Sequence, residues 1–316
     1  MSGTVGFVSP KQVARALGVS ESSMKRWCDQ GLIPTSFTAG GHRKIATADA
    51  LQFARDHGHA LVSPEVLGLP VVSEQSELGL TRSVPRLVDA LLAGKDELAR
   101  QIVFDLYLAK NSVDVICDEV IARAFRLIGD RWACHSADVY QERRGCEIAM
   151  RLLSDVRRVL SQPSHDWTAI GGTIEGDYYS LPSTMAELVL RESGIHATAL
   201  GNSIPFRSLI QAVRENRPSM FWLSVSHIRE GLDFAVEFAA LSQTCQESGT
   251  ALVVGGRALT SELRQKLNYS AFCDTMQHLA SFAKTLVNSS RSKEKTASLK
   301  QKSNRQAAAK KSPTRG

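Results

Sequence analysis

The sequence predicts an α plus α/β protein: a small helical unit with a wing-like hairpin, a central helical bundle, a doubly wound parallel sheet and a disordered basic tail. Three observations carry this prediction. Apolar side chains recur at helical spacing between residues 84 and 160, four short apolar runs alternate with helical stretches after residue 163, and cations crowd the last 26 residues. Runs of helical period pack into a bundle, whereas strand–helix alternation builds a parallel sheet covered on both faces.

The amino-terminal unit spans residues 1–67. In "VSPKQVARALGVSESSMKRWCDQGLIP", Ser9 is placed to cap a helix that has Pro10 at its first position. Val13, Ala14 and Leu17 supply a buried face, Gly18 permits a tight turn, and Val19 packs beneath it. Ser20 opens a second helix with Met24 and Trp27 facing inward, which leaves Ser22, Ser23, Lys25 and Arg26 outward. A helix so presented meets base edges and phosphates in a major groove. "TAGGHRKI" adds two glycines and places His42, Arg43 and Lys44 on a hairpin, where cations lie against a phosphate backbone. His57 and His59, at the end of the unit, read as solvent-facing side chains.

Residues 68–83, "GLPVVSEQSELGLTRS", read as a linker rich in turn formers. Residues 84–162 carry the helical pattern: Leu87, Leu91 and Leu98; Ile102, Leu106 and Val113; Ile116, Val120, Ala124 and Leu127. Breaks at Gly94–Asp96 and Lys110–Ser112 divide it into a bundle of four or five helices. Residues 163–287 form the α/β unit. Its strands are "TAIGGTI", "HATALG", "MFWLSVS" and "TALVVGG", and its helices fall at Thr184–Glu192, Phe206–Glu215, Gly231–Glu247 and Ser261–Leu267. Residues 288–316 have almost no large apolar side chain and read as a disordered tail. Of 38 basic and 32 acidic residues, nine and one lie in residues 291–316; the rest carries 29 against 31, so the basicity belongs to the tail. Such a tail is either a solvated terminus or a source of nonspecific DNA affinity.

Composition excludes several classes. With 43% hydrophobic and 22% charged residues, the chain is that of an ordinary soluble protein. No apolar run approaches the ~18 residues of a membrane span, and no signal peptide is visible, so no membrane partner and a cytoplasmic location are expected. Cys28, Cys117, Cys134, Cys146, Cys245 and Cys273 are scattered without metal spacing and read as reduced, mostly buried thiols. His135 reads as a solvated loop residue. No Gly-x-Ser-x-Gly, Walker or HExxH pattern occurs, and the chain reads as a binding protein with neither catalytic residues nor a metal site.

The first 60 to 70 residues, with the "ARALGVSESSMKRWCDQGLIP" core and the "GGHRKI" wing, resemble the DNA-binding domain of the MerR family of bacterial transcription regulators. That resemblance implies double-stranded operator DNA as a partner, at the bacterial nucleoid, and a homodimer or higher homo-oligomer as the binding form.

Residues 84 to 285 are similar, in the order of their parts, to the paired modules of cobalamin-binding domains. These modules, with a Rossmann-like α/β fold, occur in B12-dependent methionine synthases and, behind a MerR-type reader, in light-sensing repressors. In the repressors a bundle tryptophan over the corrinoid is followed after nine residues by a Glu-His pair. "RWACHSADVYQER" has Trp132, nine residues and Glu142, and then Arg143. The family's Glu/Asp-x-His-x-x-Gly turn ligates cobalt through its histidine, and its glycine admits the cofactor's tail. It corresponds here to Glu175 through Ser180, with Asp177 in place of the histidine and Ser180 in place of the glycine. A carboxylate is a harder ligand than imidazole, and a serine fills space that glycine leaves open. Ser224, Ser226, Gly255 and Gly256 match the positions that hold the nucleotide tail, although a glycine pair after a buried strand also simply eases a turn. The cleft beneath Trp132 is thus either open for a corrinoid or plugged by Tyr178, Tyr179 and Arg143. The resemblance implies a regulator whose α/β module controls assembly or senses a signal without histidine-ligated B12. No cofactor is expected, with cobalamin as the alternative occupant. A true adenosylcobalamin-dependent, light-responsive repressor is the second reading and a corrinoid methyl carrier the third.

Overall fold

The computed structural model describes residues 6–70, 79–133, 138–163 and 166–288. The reader unit comprises β1 (Phe7–Val8), α1 (Pro10–Ala16), α2 (Glu21–Asp29), β2 (Ser36–Phe37), β3 (Arg43–Ala46) and α3 (Thr47–His57). Ser9 closes a reciprocal cap with Gln12, and the Ser20 hydroxyl accepts the Ser23 amide, so both helix starts are set by local hydrogen bonds. Val13, Met24, Ile33, Ile45 and Leu51 are fully buried beneath α1 and α2. β2 and β3 pair antiparallel, with Ser36 opposite Lys44 and Phe37 opposite Arg43, which forms the expected wing. His57 is exposed, as expected, and stacks on Phe53 at 4.2 Å between centroids, whereas His59 is half-buried, stacked on Phe53 at 5.5 Å and in contact with Trp27.

A 3₁₀ turn at Pro64–Leu67 leads to α4 (Leu80–Ala93), α5 (Asp96–Leu108) and α6 (Val113–Ile116). A π-helical turn at Cys117–Ala122 carries α6 straight into α7 (Arg123–Ala133), and α8 (Val139–Val159) completes the bundle. The stretch taken for a linker is shorter than 68–83, because Leu69 is buried and α4 already begins at Leu80. Leu127 departs from its periodic pattern: it is exposed, and Ile128, four residues after the buried Ala124, takes the inward position.

The α/β unit runs β4 (Thr168–Thr173), α9 (Ser180–Glu192), β5 (His196–Ala199), α10 (Phe206–Asn216), β6 (Met220–Ser224), α11 (Phe234–Glu247), β7 (Ala251–Gly255), α12 (Ser261–Arg264) and β8 (Ala271–Phe272). A last helix, α13, covers 276–288. The sheet is parallel throughout, in the order β5-β4-β6-β7-β8. β8, α13 and the first four residues of α9 add to the pattern read from sequence, and α11 starts at Phe234, where Asp233 caps it. Along β6 the side chains alternate. Met220 and Trp222 join the core beneath the bundle, whereas Phe221 and Leu223 join the core under α10 and α11. The five described cysteines are free, and burial pushes the thiols of Cys146 and Cys273 up to about 11 and that of Cys245 up to about 12, which keeps them protonated.

One close approach organises this sheet. The Trp222 indole lies against β4 at Gly171 and donates its Nε1–H to the Ser183 hydroxyl on α9 at 2.9 Å. A methyl group at Gly171 would overlap both the Trp222 carbonyl and its ring, and strand glycines mark such approaches. Gly171→Ala should therefore destabilise the protein by about 3 kcal/mol, as overpacking against a rigid backbone does. Urea unfolding with an unchanged midpoint would contradict this packing.

Candidate functional site

In the sheet order, the chain leaves β4 first for β5 on one side and then returns to β6 on the other. The crevice at the carboxyl ends of β4 and β6 is therefore the topological switch point, where ligands of open α/β sheets bind. The turn from Glu175 to Ser180 lies there. Its centre is Asp177, fully buried. One carboxylate oxygen accepts the Tyr179 amide at 3.1 Å, and the other accepts the amides of Ser226 at 2.6 Å and His227 at 3.2 Å. Its carbonyl accepts the Thr173 hydroxyl at 2.6 Å and the Ser203 amide at 3.0 Å.

This geometry corrects the picture of Asp177 as a residue facing a ligand from the cobalt position. A buried carboxylate must have its lone pairs satisfied, and here the backbone satisfies them. The side chain is a latch joining the loops after β4 and β6, with the loop after β5 held through the carbonyl. The other turn residues are likewise engaged. Glu175 pairs with Arg229 at 3.6 Å in the half-exposed rim. The Ser180 hydroxyl accepts from the Asn202 amide at 2.5 Å, so it stitches a loop at the start of α9. Tyr178 is 69% exposed and Tyr179 is partly exposed beneath the Arg257 guanidinium, 5.0 Å from its ring centroid; these side chains are not a buried plug.

Beside the turn lies a cavity of about 330 Å³, lined by Asp118, Met185, Trp222, Ser224, Gly255 and Thr275 among others. It separates the sheet ends from the π turn of the bundle. Ser224 and Ser226 line it as the resemblance implied, and so do Gly255 and Gly256. Both glycines have a second reason to lack a side chain. A Cβ at Gly255 would stand 2.5 Å from the Cys273 carbonyl oxygen, and one at Gly256 would overlap the Val225 backbone. Asp118 closes the cavity's far side. Its two carboxylate oxygens accept the amides of Met276 at 2.8 Å and Gln277 at 2.9 Å, and so cap α13 from the bundle. Trp222 and Asp118 were not found from sequence. The paired glycines of β4 signal the first, but a carboxylate on a helix gives no sign that it caps another element.

The bundle side is described only in part. Trp132 falls on the last turn of α7, but its side chain and His135 lie outside the described residues. Glu142, half-buried, and Arg143, exposed, sit in the first turn of α8. The implied group is thus met by a cavity beside a turn that has no histidine and whose Asp177 carboxylate is taken up by backbone amides.

On the reader, Ser22, Lys25 and Arg26 are exposed on α2, as are His42 and Lys44 on the wing. Ser23 and Arg43 differ from the outward placement expected. The Ser23 hydroxyl accepts from Ser20 at 3.0 Å, and Arg43 pairs with Asp29 at 2.5 Å with its guanidinium over Phe37. Arg43 therefore ties the wing to α2, while Lys25, Arg26 and Lys44 present their charges outward. The tail residues 289–316 lie outside the described residues.

Among the described residues no group of three or more His, Cys, Asp or Glu is placed to hold a metal ion, and no helix is long and apolar enough to cross a membrane. The class is set by two domain matches: residues 7–57 match a helix-turn-helix domain, and residues 85–154 match a B12 binding domain. The chain thus combines a helix-turn-helix domain with a B12-binding architecture. Among particular proteins, the dimethylamine corrinoid protein 3 of Methanosarcina acetivorans is 22% identical over 120 residues, 37% of this chain. This chain matches 55% of that relative's length. The solved monomethylamine corrinoid protein of Methanosarcina barkeri shares the fold, with a TM-score of 0.55 at 13% identity over 66% of this chain and 100% of that one. The B12 domain match and the corrinoid relative count against the expectation of no cofactor and make cobalamin a candidate for the cavity.

Asp177→Ala should leave three part-buried backbone donors without their acceptor and cost about 2 kcal/mol, whereas Asp177→Asn should cost less because its amide oxygen still accepts. Equal unfolding midpoints for wild type and Asp177→Ala would remove the latch from this account.

Proposed function

We propose that the chain is a DNA-binding transcriptional regulator of MerR type, whose bundle and α/β unit receive a signal in the cavity at the carboxyl ends of β6 and β7. The observation that carries this reading is one chain holding both an outward basic helix on a capped helix-turn-helix and a built cavity under a B12-type bundle. Lys25 and Arg26 serve bases or phosphates, His42 and Lys44 serve the backbone, and Arg43 holds the wing against α2. The protein acts on operator DNA in the cytoplasm as a homodimer or higher oligomer, and it is not an enzyme. Cobalamin is the first candidate ligand, and its cobalt receives no side chain from the turn, because Asp177 is spent on backbone amides. A methyl-carrier reading draws on the corrinoid relatives, but it does not account for the reader.

Lys25→Ala should lower the slope of log affinity against log salt by about 1, and Lys25→Ala/Arg26→Ala should abolish the gel shift of a bound operator. Unchanged binding by the double variant would sink the reader assignment. Wild type and Asp177→Asn should both retain adenosylcobalamin through gel filtration, with the same visible spectrum. A spectrum that moves with residue 177 would mean that its carboxylate reaches the metal.

A further inference from the structure

The cavity turn and the reader sit at opposite ends of one helix. α9 begins at Ser180, immediately after the Asp177 latch, and ends at Glu192. Thirteen helical residues span about 20 Å, so the helix is a strut of that length. It is strapped to the bundle midway, where the buried Glu187 carboxylate meets Arg157 of α8 at 3.2 Å and Arg191 at 3.0 Å.

At the far end three modules converge on two side chains. Arg55, from α3 of the reader, lays its guanidinium over the Tyr107 ring at 4.0 Å and donates to the carbonyls of Tyr107 at 2.7 Å and Asn111 at 3.4 Å. The same guanidinium lies 3.9 Å from one Glu192 carboxylate oxygen, and the other oxygen accepts the Val113 amide at 2.7 Å. Both side chains are largely buried, at 15% and 25% exposure. Burial pushes the Glu192 carboxyl above its ordinary range despite the Val113 amide and Arg55, so the carboxylate is incompletely compensated there. Around this junction the packing is open. A cavity of about 180 Å³ separates α3 from the α5 end, and another of about 250 Å³ borders Gln52, Tyr107 and Glu192. Polar contacts set beside such clefts can adopt discrete arrangements more readily than the close-packed core that joins the reader to the bundle.

We infer that α9 is the coupling element of this protein: it transmits the state of the Asp177 turn to the seating of the reader through the Glu192–Arg55 contact. Glu192 and Arg55 are positioning residues that touch neither the 330 Å³ cavity nor the DNA-facing side of α2. The inference deepens the regulatory reading above, since a signal at the cavity needs a path to α3. It is nonetheless tested without DNA or ligand.

The test is hydrogen exchange by mass spectrometry on the full chain. In Glu192→Gln and in Arg55→Lys, which keeps the charge but loses the planar fork, peptides covering 47–57 and 109–116 should exchange about tenfold faster, a typical coupling magnitude. Peptides covering 21–29 should be unchanged, which separates unseating of the reader from its unfolding. Asp177→Asn should accelerate the same 47–57 peptides, and combining it with Glu192→Gln should add nothing beyond Glu192→Gln alone. If the effects of Asp177→Asn stay within residues 174–204 and 225–228, or if the two substitutions add independently at 47–57, the coupling role is overturned. Failure of the chain to bind DNA would count against the proposed function, and it would leave this exchange pattern to be judged by itself.

Discussion

The arrangement of the α/β unit depends on one buried carboxylate and the backbone amides it satisfies. Asp177 stands at the switch point of the sheet with no exposure, where an unsatisfied charge would cost several kcal/mol. The amides of Tyr179, Ser226 and His227 meet that demand, and in doing so they bring the ends of β4 and β6 to a common point. The loop after β5 joins through Ser203, whose amide donates to the Thr173 hydroxyl and whose hydroxyl accepts the Gly176 amide. A turn built this way is closed by its own chain. It holds its shape without a metal ligand, and it places α9, the cavity and the half-exposed tyrosines around itself.

The same device recurs between modules. Asp118 caps α13 from the bundle, Glu187 straps α9 to α8, and Glu192 meets both the first amide of α6 and the guanidinium of Arg55. Apolar burial makes each unit stable, whereas these carboxylates set how the units are indexed on one another. Apolar contacts are nonspecific in direction, so a few directed polar contacts decide register. The reader's buried set around Met24, Ile45 and Leu51 is continuous with the apolar core of the bundle, and Arg55 adds a directed contact at that join.

How much of this was readable in the residues varies with the range of the interaction. The caps at Ser9 and Ser20, the antiparallel wing and the four main strands depend on neighbours within a few positions, and their patterns were plain. Two short elements had weaker signals: β8 is only two residues long, and α13 gains its cap from Asp118, 158 residues away. Leu127 fitted the helical period but ended exposed, because Ile128, four residues after the buried Ala124, takes the inward position. His57 is exposed as its position suggested, but nothing nearby announces that His59 is half-buried against Phe53 and Trp27. At the site, the replacement of an expected histidine by Asp177 was visible, but its direction was not.

The sequence by itself determined the order of units, the kind of each, the exposed cations of α2 and the chemistry at each turn position, because these follow from composition, period and local capping. Only the tertiary structure decided what Asp177 and Ser180 do. Their partners, Ser226, His227 and Asn202, lie 22 to 50 residues away, and only strand pairing brings them within reach. It likewise decided that Tyr178 stays exposed, that a cavity remains beside Trp222, and that Arg55 and Glu192 meet across 137 residues of chain. Long-range burial selects such contacts, and no local pattern in the chain encodes them.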